Sequence, residues 1–218
     1  MKFLLFFDTE TTGLINFKLP IDHEDQPRLV QLAAILTDEV GNELSSINLI
    51  VKPIDYNGNT FEIPKNASDI HGITTEIALK VGVYRTDVVK IFYSMKNQVD
   101  LSIAHNASYD AFIMKSELTK RDTCWIEEKY EYFCTMKAST DIFKIVKNAG
   151  GKYKFPKLQE AYQLAFGKEF ENAHNALADV RATKELYFWI LEYQKKSGKN
   201  GGSFSCSKTM NFAEFLSR

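Results

Sequence analysis

The hydrophobic pattern near the N-terminus predicts a strand that is buried on both faces. Five consecutive apolar residues, Phe3 to Phe7, are followed by the acidic residues Asp8 and Glu10. An uninterrupted apolar run of this length is typical of a central strand covered on both sides. Because residues two apart in a strand project to the same face, Asp8 and Glu10 should point together from the end of this strand.

The rest of the pattern predicts an α/β fold in which helices pack on a mixed sheet. Two further strands, at 29–37 and 43–51, should form an antiparallel meander with the first, because the loops that join the three are polar and rich in turn residues. Two short strands are expected at 101–104 and 132–136. Helical spacing of apolar residues predicts helices at 66–79 with a break at Gly72, 84–98, 107–120, 142–146, 158–166 and 175–194.

The length and composition favour one large domain with a short extension. Residues 1–196 are expected to form the domain, and 197–218 a flexible linker and C-terminal tail, because 197–203 are rich in Gly and Ser. The net charge is −1, so any contact with nucleic acid must use a local patch or groove.

The cysteine content and the absence of long apolar runs indicate a cytoplasmic protein. Three cysteines without CxxC spacing argue against a disulfide framework and a zinc site. The first residues lead directly into the predicted strand, which does not resemble a signal peptide. No apolar run reaches membrane-spanning length.

The pair formed by Asp8 and Glu10 has two interpretations. Two carboxylates side by side in a partly buried place repel each other and lose hydration, at a cost of roughly several kcal/mol per ion. A divalent cation with oxygen ligands would compensate for that cost. The alternative is a strand that leads into a turn carrying two solvated acids.

Two other acids are expected to lie near helix starts. Asp110 falls in the first turn of the predicted helix at 107–120, where the helix dipole alone would favour it. Asp179 lies on the face of the last helix that should pack on the sheet, together with Asn175, Ala182, Leu186, Ile190 and Tyr193. A buried carboxylate there needs a partner, and a metal shared with Asp8 and Glu10 would serve. The alternative is a helix-start acid at the edge of this face.

His174 precedes Asp179 by five residues, at or just outside the predicted start of the last helix. A histidine in that place is often a cap or a surface residue. Beside a metal cluster it becomes a candidate general base, because its pKa lies near working pH.

Three segments in this order resemble the motifs of a known enzyme family. They are Asp8-Thr-Glu10-Thr-Thr-Gly13, His105-Asn106 followed by Asp110, and His174 followed by Asp179. These resemble the DEDDh branch of DnaQ-like 3′→5′ exonucleases, including the exonuclease domain of the DNA polymerase III epsilon subunit. The segments at 28–33 and 70–74 (His71-Gly72-Ile73-Thr74) are also similar, so the resemblance covers roughly residues 3–193.

The resemblance implies a ribonuclease H-like fold and two Mg²⁺ or Mn²⁺ ions per site. Asp8 would bridge both ions, and Glu10 and Asp179 would hold the ion that presents the attacking water. Asp110 would support the second ion, and His174 would take the proton from the nucleophile. Two such ions can stabilise the attacking and leaving oxygens of a phosphodiester.

The resemblance also implies contacts with the terminal nucleotide, by Thr11, Thr12, Gly13, Leu14, His71 and Asn106. The alternatives are a plain turn at 11–13, a core contact for Leu14 and a helix-end polar residue at His71. This sequence has Tyr109 where many family members have Phe, and its loop at 15–27 is longer than in compact proofreading subunits.

The function that follows is a 3′→5′ exonuclease acting on single-stranded or frayed DNA 3′ ends, in proofreading or repair. An exoribonuclease of the RNase T or oligoribonuclease type is the alternative, and a non-catalytic nucleic-acid-binding module is a third hypothesis. The expected partner is nucleic acid, with no membrane. Residues 207–212 are loosely similar to a sliding-clamp-binding peptide but lack its leading Gln, so a polymerase or clamp partner is a further hypothesis.

Overall fold

The structure is a computed structural model that describes residues 1–119, 132–147 and 152–198. The strands within these ranges are β1 (Phe3–Thr11), β2 (Leu29–Asp38), β3 (Glu43–Ile50), β4 (Leu101–Ala104) and β5 (Tyr132–Cys134). The helices are α1 (Lys65–His71), α2 (Thr75–Val81), α3 (Arg85–Lys96), α4 (Ala107–Thr119), α5 (Thr135–Phe143), α6 (Leu158–Phe166) and α7 (Ala176–Lys196).

The five strands form one mixed sheet in the order β3-β2-β1-β4-β5, which confirms the predicted architecture. β2 runs antiparallel to both β1 and β3, whereas β4 is parallel to β1 and β5 is parallel to β4. The C-terminal ends of β1, β3 and β4 therefore meet at the same edge of the sheet.

The apolar run of β1 is buried on both faces, as its pattern predicts. Leu5 and Phe7 belong to the core beneath α3 and α4, whereas Leu4 and Phe6 pack with residues of α7. Fully burying such a side chain stabilises the fold by about 1.5–3 kcal/mol. Since side chains alternate along a strand, the even-numbered residues of β1 all face α7.

The last helix is close to its predicted bounds. Its N-cap is Asn175, whose side-chain oxygen accepts hydrogen bonds from two backbone N–H groups of the first turn. Asp179, Leu186 and Ile190 are buried on the predicted face, but Tyr193 is 40% exposed, so the packed face ends one turn earlier than predicted.

The helix predicted at 142–146 is wrong, and the strand predicted at 132–136 is too long by two residues. β5 passes directly into α5 at Thr135, and α5 ends at Phe143. Lys144 follows in the left-handed conformation (φ 50°), which stops the helix. Ala138 and Ile142, one helical turn apart, both pack in the cluster beneath α6 and α7.

None of the described helices is long and apolar enough to cross a membrane. The predicted tail lies almost entirely beyond the described residues, as does the segment similar to a clamp-binding peptide. The division into a domain at 1–196 and an extension stays a prediction.

Candidate active site

Three of the predicted acids come together at the C-terminal end of β1. Asp8 and Glu10 project from β1 toward α7, and Asp179 lies in the first turn of α7. One carboxylate oxygen from each of the three lies within 4.8 Å of the others. Such a spacing lets one divalent cation bind to all three carboxylates.

The fourth acid, Asp110, reaches the same strand from its other face. It lies in the first turn of α4 and is 3% exposed. Its Oδ1 atom accepts hydrogen bonds from the Thr9 backbone N–H (3.0 Å) and the Thr9 hydroxyl (2.7 Å). Thr9 stands between Asp8 and Glu10 in β1, so these bonds fix the Asp110 carboxylate beside the other acids.

The four carboxylates share one electrostatic environment. Burial raises the pKa of Asp8 well above its usual range, and the charges of Asp110, Asp179 and Glu10 raise it further. Burial followed by the charges of Asp179 and Asp110 raises the pKa of Glu10 to about 8.

The pKa values of the two helix acids are also raised, and hydrogen bonds limit both increases. Burial raises the pKa of Asp110 to about 7, against the lowering effect of the bonds from Thr9. Burial raises the pKa of Asp179 to about 6, against the bond from the His174 backbone. The raised pKa values show that the four carboxylates cannot all ionise together without a compensating positive charge, so they fit a cation site. Oxygen ligands of this kind suit Mg²⁺ or Mn²⁺.

His174 lies at the solvent-exposed edge of this cluster. Its backbone N–H donates a hydrogen bond to Asp179 Oδ2 at 3.1 Å, and its side chain is exposed. The residue adopts a left-handed backbone conformation (φ 68°) immediately before the N-cap Asn175. The backbone of His174 is therefore held beside Asp179, and its imidazole is open to solvent.

A group of hydroxyls holds the chain just after β1. The Tyr109 hydroxyl donates to the Gly13 carbonyl oxygen at 2.6 Å and lies 2.6 Å from the Thr11 hydroxyl. The Thr11 hydroxyl is also 2.9 Å from the same carbonyl. Burial raises the pKa of Tyr109 to about 12, so its proton stays in place. From the sequence, Tyr109 was only a departure from the Phe of many family members, although its place directly before Asp110 was a signal for a role at the site.

The neighbouring residues Thr12 to Leu14 lie on the open side of this segment. Thr12 is fixed to Arg28 by two hydrogen bonds, from the Thr12 N–H to the Arg28 carbonyl and from the Arg28 N–H to the Thr12 hydroxyl. A Cβ added at Gly13 would meet no described atom within 4 Å. Leu14 is 87% exposed, so the alternative of a core contact for Leu14 is wrong.

His71 lies near the backbone of Thr11, at the end of β1. Its Nδ1 accepts a hydrogen bond from the Ile73 N–H at 3.1 Å, so the neutral ring carries its proton on Nε2. That Nε2 atom is buried and faces the Thr11 backbone, and burial lowers the pKa of His71. Nε2 forms no hydrogen bond within the described residues, so His71 lies near the end of β1 without a bond to it there.

The segment between β4 and α4 carries Asn106 and its neighbour His105. Asn106 adopts a left-handed conformation (φ 68°), and its side-chain oxygen accepts a 3.3 Å hydrogen bond from the Ser108 hydroxyl. The ring nitrogens of His105 lie 3.0 Å from the Thr135 hydroxyl and 3.0 Å from the Pro156 carbonyl. Burial lowers the pKa of His105 to about 4, so a neutral His105 joins β4 to α5.

The chain resembles known proteins both in its sequence pattern and in its fold. Residues 5–187 match the family described as RNase_T, an exonuclease family. No curated protein matches the sequence.

Solved structures of exonuclease I share the fold at low sequence identity. Escherichia coli exonuclease I in complex with a dT13 oligonucleotide is 21% identical, with a TM-score of 0.69 over 91% of this chain and 43% of that chain. Exonuclease I from Methylocaldum szegediense is 22% identical, with a TM-score of 0.65 over 90% of this chain and 42% of that one. The chain thus spans less than half the length of these proteins. The likeness confirms the ribonuclease H-like exonuclease fold.

Proposed function

Because the chain belongs to the RNase_T exonuclease family, whose members are metal-dependent phosphodiesterases, we propose that it removes nucleotides from the 3′ ends of single-stranded or frayed DNA. The clustering of Asp8, Glu10 and Asp179 supports this function most directly, because three converging carboxylates at a strand end have no cationic side chain to neutralise them among the described ion pairs. Hydrolysis of a phosphodiester needs positive charge at that position.

The acids would hold the ions in the arrangement that the family motifs imply. Asp8, Glu10 and Asp179 would hold one Mg²⁺ or Mn²⁺, and Asp110 would support a second ion that shares Asp8. Ions bound there stabilise the charge that develops on the attacking and leaving oxygens. The raised pKa values of the acids support this assignment, since a cation is what would let all four ionise together.

His174 would accept the proton of the attacking water on its ring. Its exposed side chain and the bond from its backbone to Asp179 support this role, because a general base must reach both the site and the solvent. The hydrogen bond from its backbone to Asp179 holds the backbone of the proposed base beside a proposed metal ligand.

The 3′-terminal nucleotide would lie on the segment that follows β1. The backbone of Thr11, Thr12 and Gly13 would support the sugar and base, and the exposed Leu14 would contact the base. Asn106 and His71 would complete this set, with Asn106 near the phosphate and His71 acting through the backbone of Thr11.

The choice of DNA is supported by the solved structures of similar fold, which contain dT13 and dA16 oligonucleotides. RNA is the other outcome of the test, because the choice between the two depends on a few contacts with the 2′-hydroxyl.

A polymerase or sliding-clamp partner stays a prediction from residues 207–212. A pull-down comparing the full chain with one lacking 205–218 tests that prediction, and equal clamp retention would contradict it.

The function is tested by digestion of 5′-labelled single-stranded DNA and RNA of the same sequence in Mg²⁺. We expect a ladder that shortens from the 3′ end, faster on DNA, and its loss in EDTA or in the variant Asp8→Asn. Asp141→Asn, which changes an exposed acid on α5, is the matched control and should retain full activity. Intact DNA with the wild-type protein, or equal activity in Asp8→Asn, would refute the function.

A further inference from the structure

A second recess lies beyond the end of β3, apart from the carboxylates. It is a cavity of about 260 Å³, lined by residues of the loop after β3 and of the start of α3, including Lys52, Asp55, Tyr56, Tyr84 and Arg85. We call it the β3 cavity. None of its lining residues takes part in the site described above.

The sheet register places the β3 cavity at the same edge of the sheet as the acids. Glu10 of β1 pairs with Gln31 of β2, and Gln31 pairs with Ile50 of β3. Glu10 and Ile50 are thus two strands apart in register, or roughly 10 Å at the usual strand spacing. Lys52 follows Ile50 by two residues, which starts the cavity at this edge.

The lining combines aromatic rings with cations. Lys52 Nζ lies 5.1 Å from the centre of the Tyr84 ring, and Tyr84 is 57% exposed. No carboxylate of the described residues forms an ion pair with Lys52. An exposed ring beside a free ammonium is the combination on which a base stacks while its phosphate is neutralised.

The floor of the β3 cavity carries more cations than anions. The Tyr56 ring lies between the guanidinium groups of Arg28 (4.6 Å) and Arg85 (4.8 Å). Both arginines share the buried carboxylate of Glu117. With Lys52 and Asp55 included, three cations face two anions, so the recess is positive although the chain carries a net charge of −1.

Arg28 connects the β3 cavity to the segment proposed to hold the 3′-terminal nucleotide. Its side chain packs on Tyr56, and its backbone forms two hydrogen bonds with Thr12. A DNA strand that leaves the segment after β1 along this edge of the sheet would therefore pass toward Lys52 and Tyr84.

We propose that the β3 cavity is a second nucleotide subsite, which binds single-stranded DNA upstream of the reacting end. Tyr84 stacks on a base of the incoming strand, and Lys52 contacts the phosphate beside it. The inference rests on the proposed exonuclease function, because it takes the upstream part of the same substrate.

The test measures binding of fluorescein-labelled oligothymidylates by anisotropy, in the cleavage-deficient Asp8→Asn background with Mg²⁺. Single-strand sites cover about 4–16 nucleotides, so an oligomer of about 12 nucleotides reaches the β3 cavity and a dinucleotide does not. Tyr84→Ala should weaken binding of the long oligomer about 5- to 100-fold and leave the dinucleotide unchanged. Lys52→Met should lower the slope of log Kd against log salt by about 0.7.

Matched controls lie at the far end of the fold. Lys2→Met precedes β1 at the opposite sheet edge, and Tyr193→Ala changes a 40% exposed ring near the end of α7. Both should bind as the parent does, whereas Tyr84→Phe and Lys52→Arg should retain most binding because ring and charge remain. These conservative variants separate a lost contact from a disturbed fold.

The binding measurements decide whether the β3 cavity is a nucleotide subsite, whether or not the protein cleaves DNA. Selective loss of long-oligomer binding in Tyr84→Ala and Lys52→Met, with recovery in Tyr84→Phe and Lys52→Arg, supports the subsite. Equal affinity of the variants and the far-edge controls for the long oligomer overturns it. Cleavage by the wild-type protein is measured in parallel, and failure there would refute the exonuclease function while the binding result still decides the subsite.

Discussion

Neutralising Asp8 should stabilise the metal-free protein while it abolishes activity. The substitution Asp8→Asn keeps the shape of the side chain and removes one of four neighbouring negative charges. The carboxylate oxygens of Asp8, Glu10 and Asp179 lie within 4.8 Å of one another. At this distance two like charges in a partly buried site repel each other by about 3 kcal/mol at an effective dielectric constant near 20.

The effect should depend on pH in a definite direction. The pKa of Glu10 is raised from 4.5 to about 8, so between these values the folded chain holds more protons than the unfolded chain. Stability of the metal-free protein must then fall as pH rises from about 4.5 to 8. The pKa of Asp8 is itself raised well above its usual range, so removing this carboxyl in Asp8→Asn should make the fall shallower, with the gain in stability largest near pH 8.

The assay is thermal unfolding in EDTA from pH 5 to 9, followed by circular dichroism. A gain of about 3 kcal/mol corresponds to roughly 6–12 °C in a protein of this size. Added Mg²⁺ should stabilise the wild-type protein, by about 2.7 kcal/mol at 100 times its dissociation constant, and should do much less for Asp8→Asn.

The control is again Asp141→Asn, whose exposed acid lies away from the cluster. It should leave the unfolding midpoint and its pH dependence unchanged. If Asp8→Asn were no more stable than Asp141→Asn at pH 8 without metal, the carboxylates would not repel each other as described, and the need for a cation would disappear.

Three further substitutions test the contacts around the acids. Tyr109→Phe removes the hydroxyl that holds the Gly13 carbonyl, so it should cost about 1 kcal/mol of stability and raise KM several-fold with little change in kcat; unchanged steady-state kinetics would contradict this. His174→Gln should lower kcat about 10²–10⁴-fold and leave DNA affinity intact, and normal turnover would exclude the residue as the base. Thr9→Val removes a hydroxyl that donates to buried Asp110, so it should lower the free energy of unfolding in urea by about 1–3 kcal/mol and weaken Mn²⁺ binding. Unfolding and Mn²⁺ affinity both equal to those of the wild-type protein would refute this.

The sequence predicted the site wherever the repeat of a strand or a helix decides the direction in which a side chain points. The two-residue period of β1 is enough to put Asp8 and Glu10 on one face, and the helical period puts Asp179 on the packed face of α7. The strand order then brings these faces together, because β1 is central and α7 covers the side on which its even-numbered residues lie.

Contacts between distant parts of the chain could not be predicted in the same way. The bond between Thr9 and Asp110 joins residues 101 positions apart, and the bond between Tyr109 and Gly13 joins residues 96 apart. No local pattern reports such a pairing. The start of α5 was missed for a local reason, since this helix follows β5 without an intervening turn.

The β3 cavity depends on long-range register as well. Its rings and cations come from residues 52–56 and 84–86, with Arg28 against the Tyr56 ring, and only the pairing of β1, β2 and β3 places these segments beside the acids. The net charge of −1 predicts only that any nucleic-acid contact must be local. No local sequence pattern locates the positive recess.

A titration of Mn²⁺ into the metal-free protein, followed by electron paramagnetic resonance, counts the ions that the acids bind. The arrangement of Asp8, Glu10, Asp110 and Asp179 predicts two bound ions per chain in the wild-type protein and a marked loss of binding in Asp8→Asn. Equal Mn²⁺ binding by the two proteins, or no binding by either at millimolar concentration, would contradict the assignment of these carboxylates as a catalytic metal site.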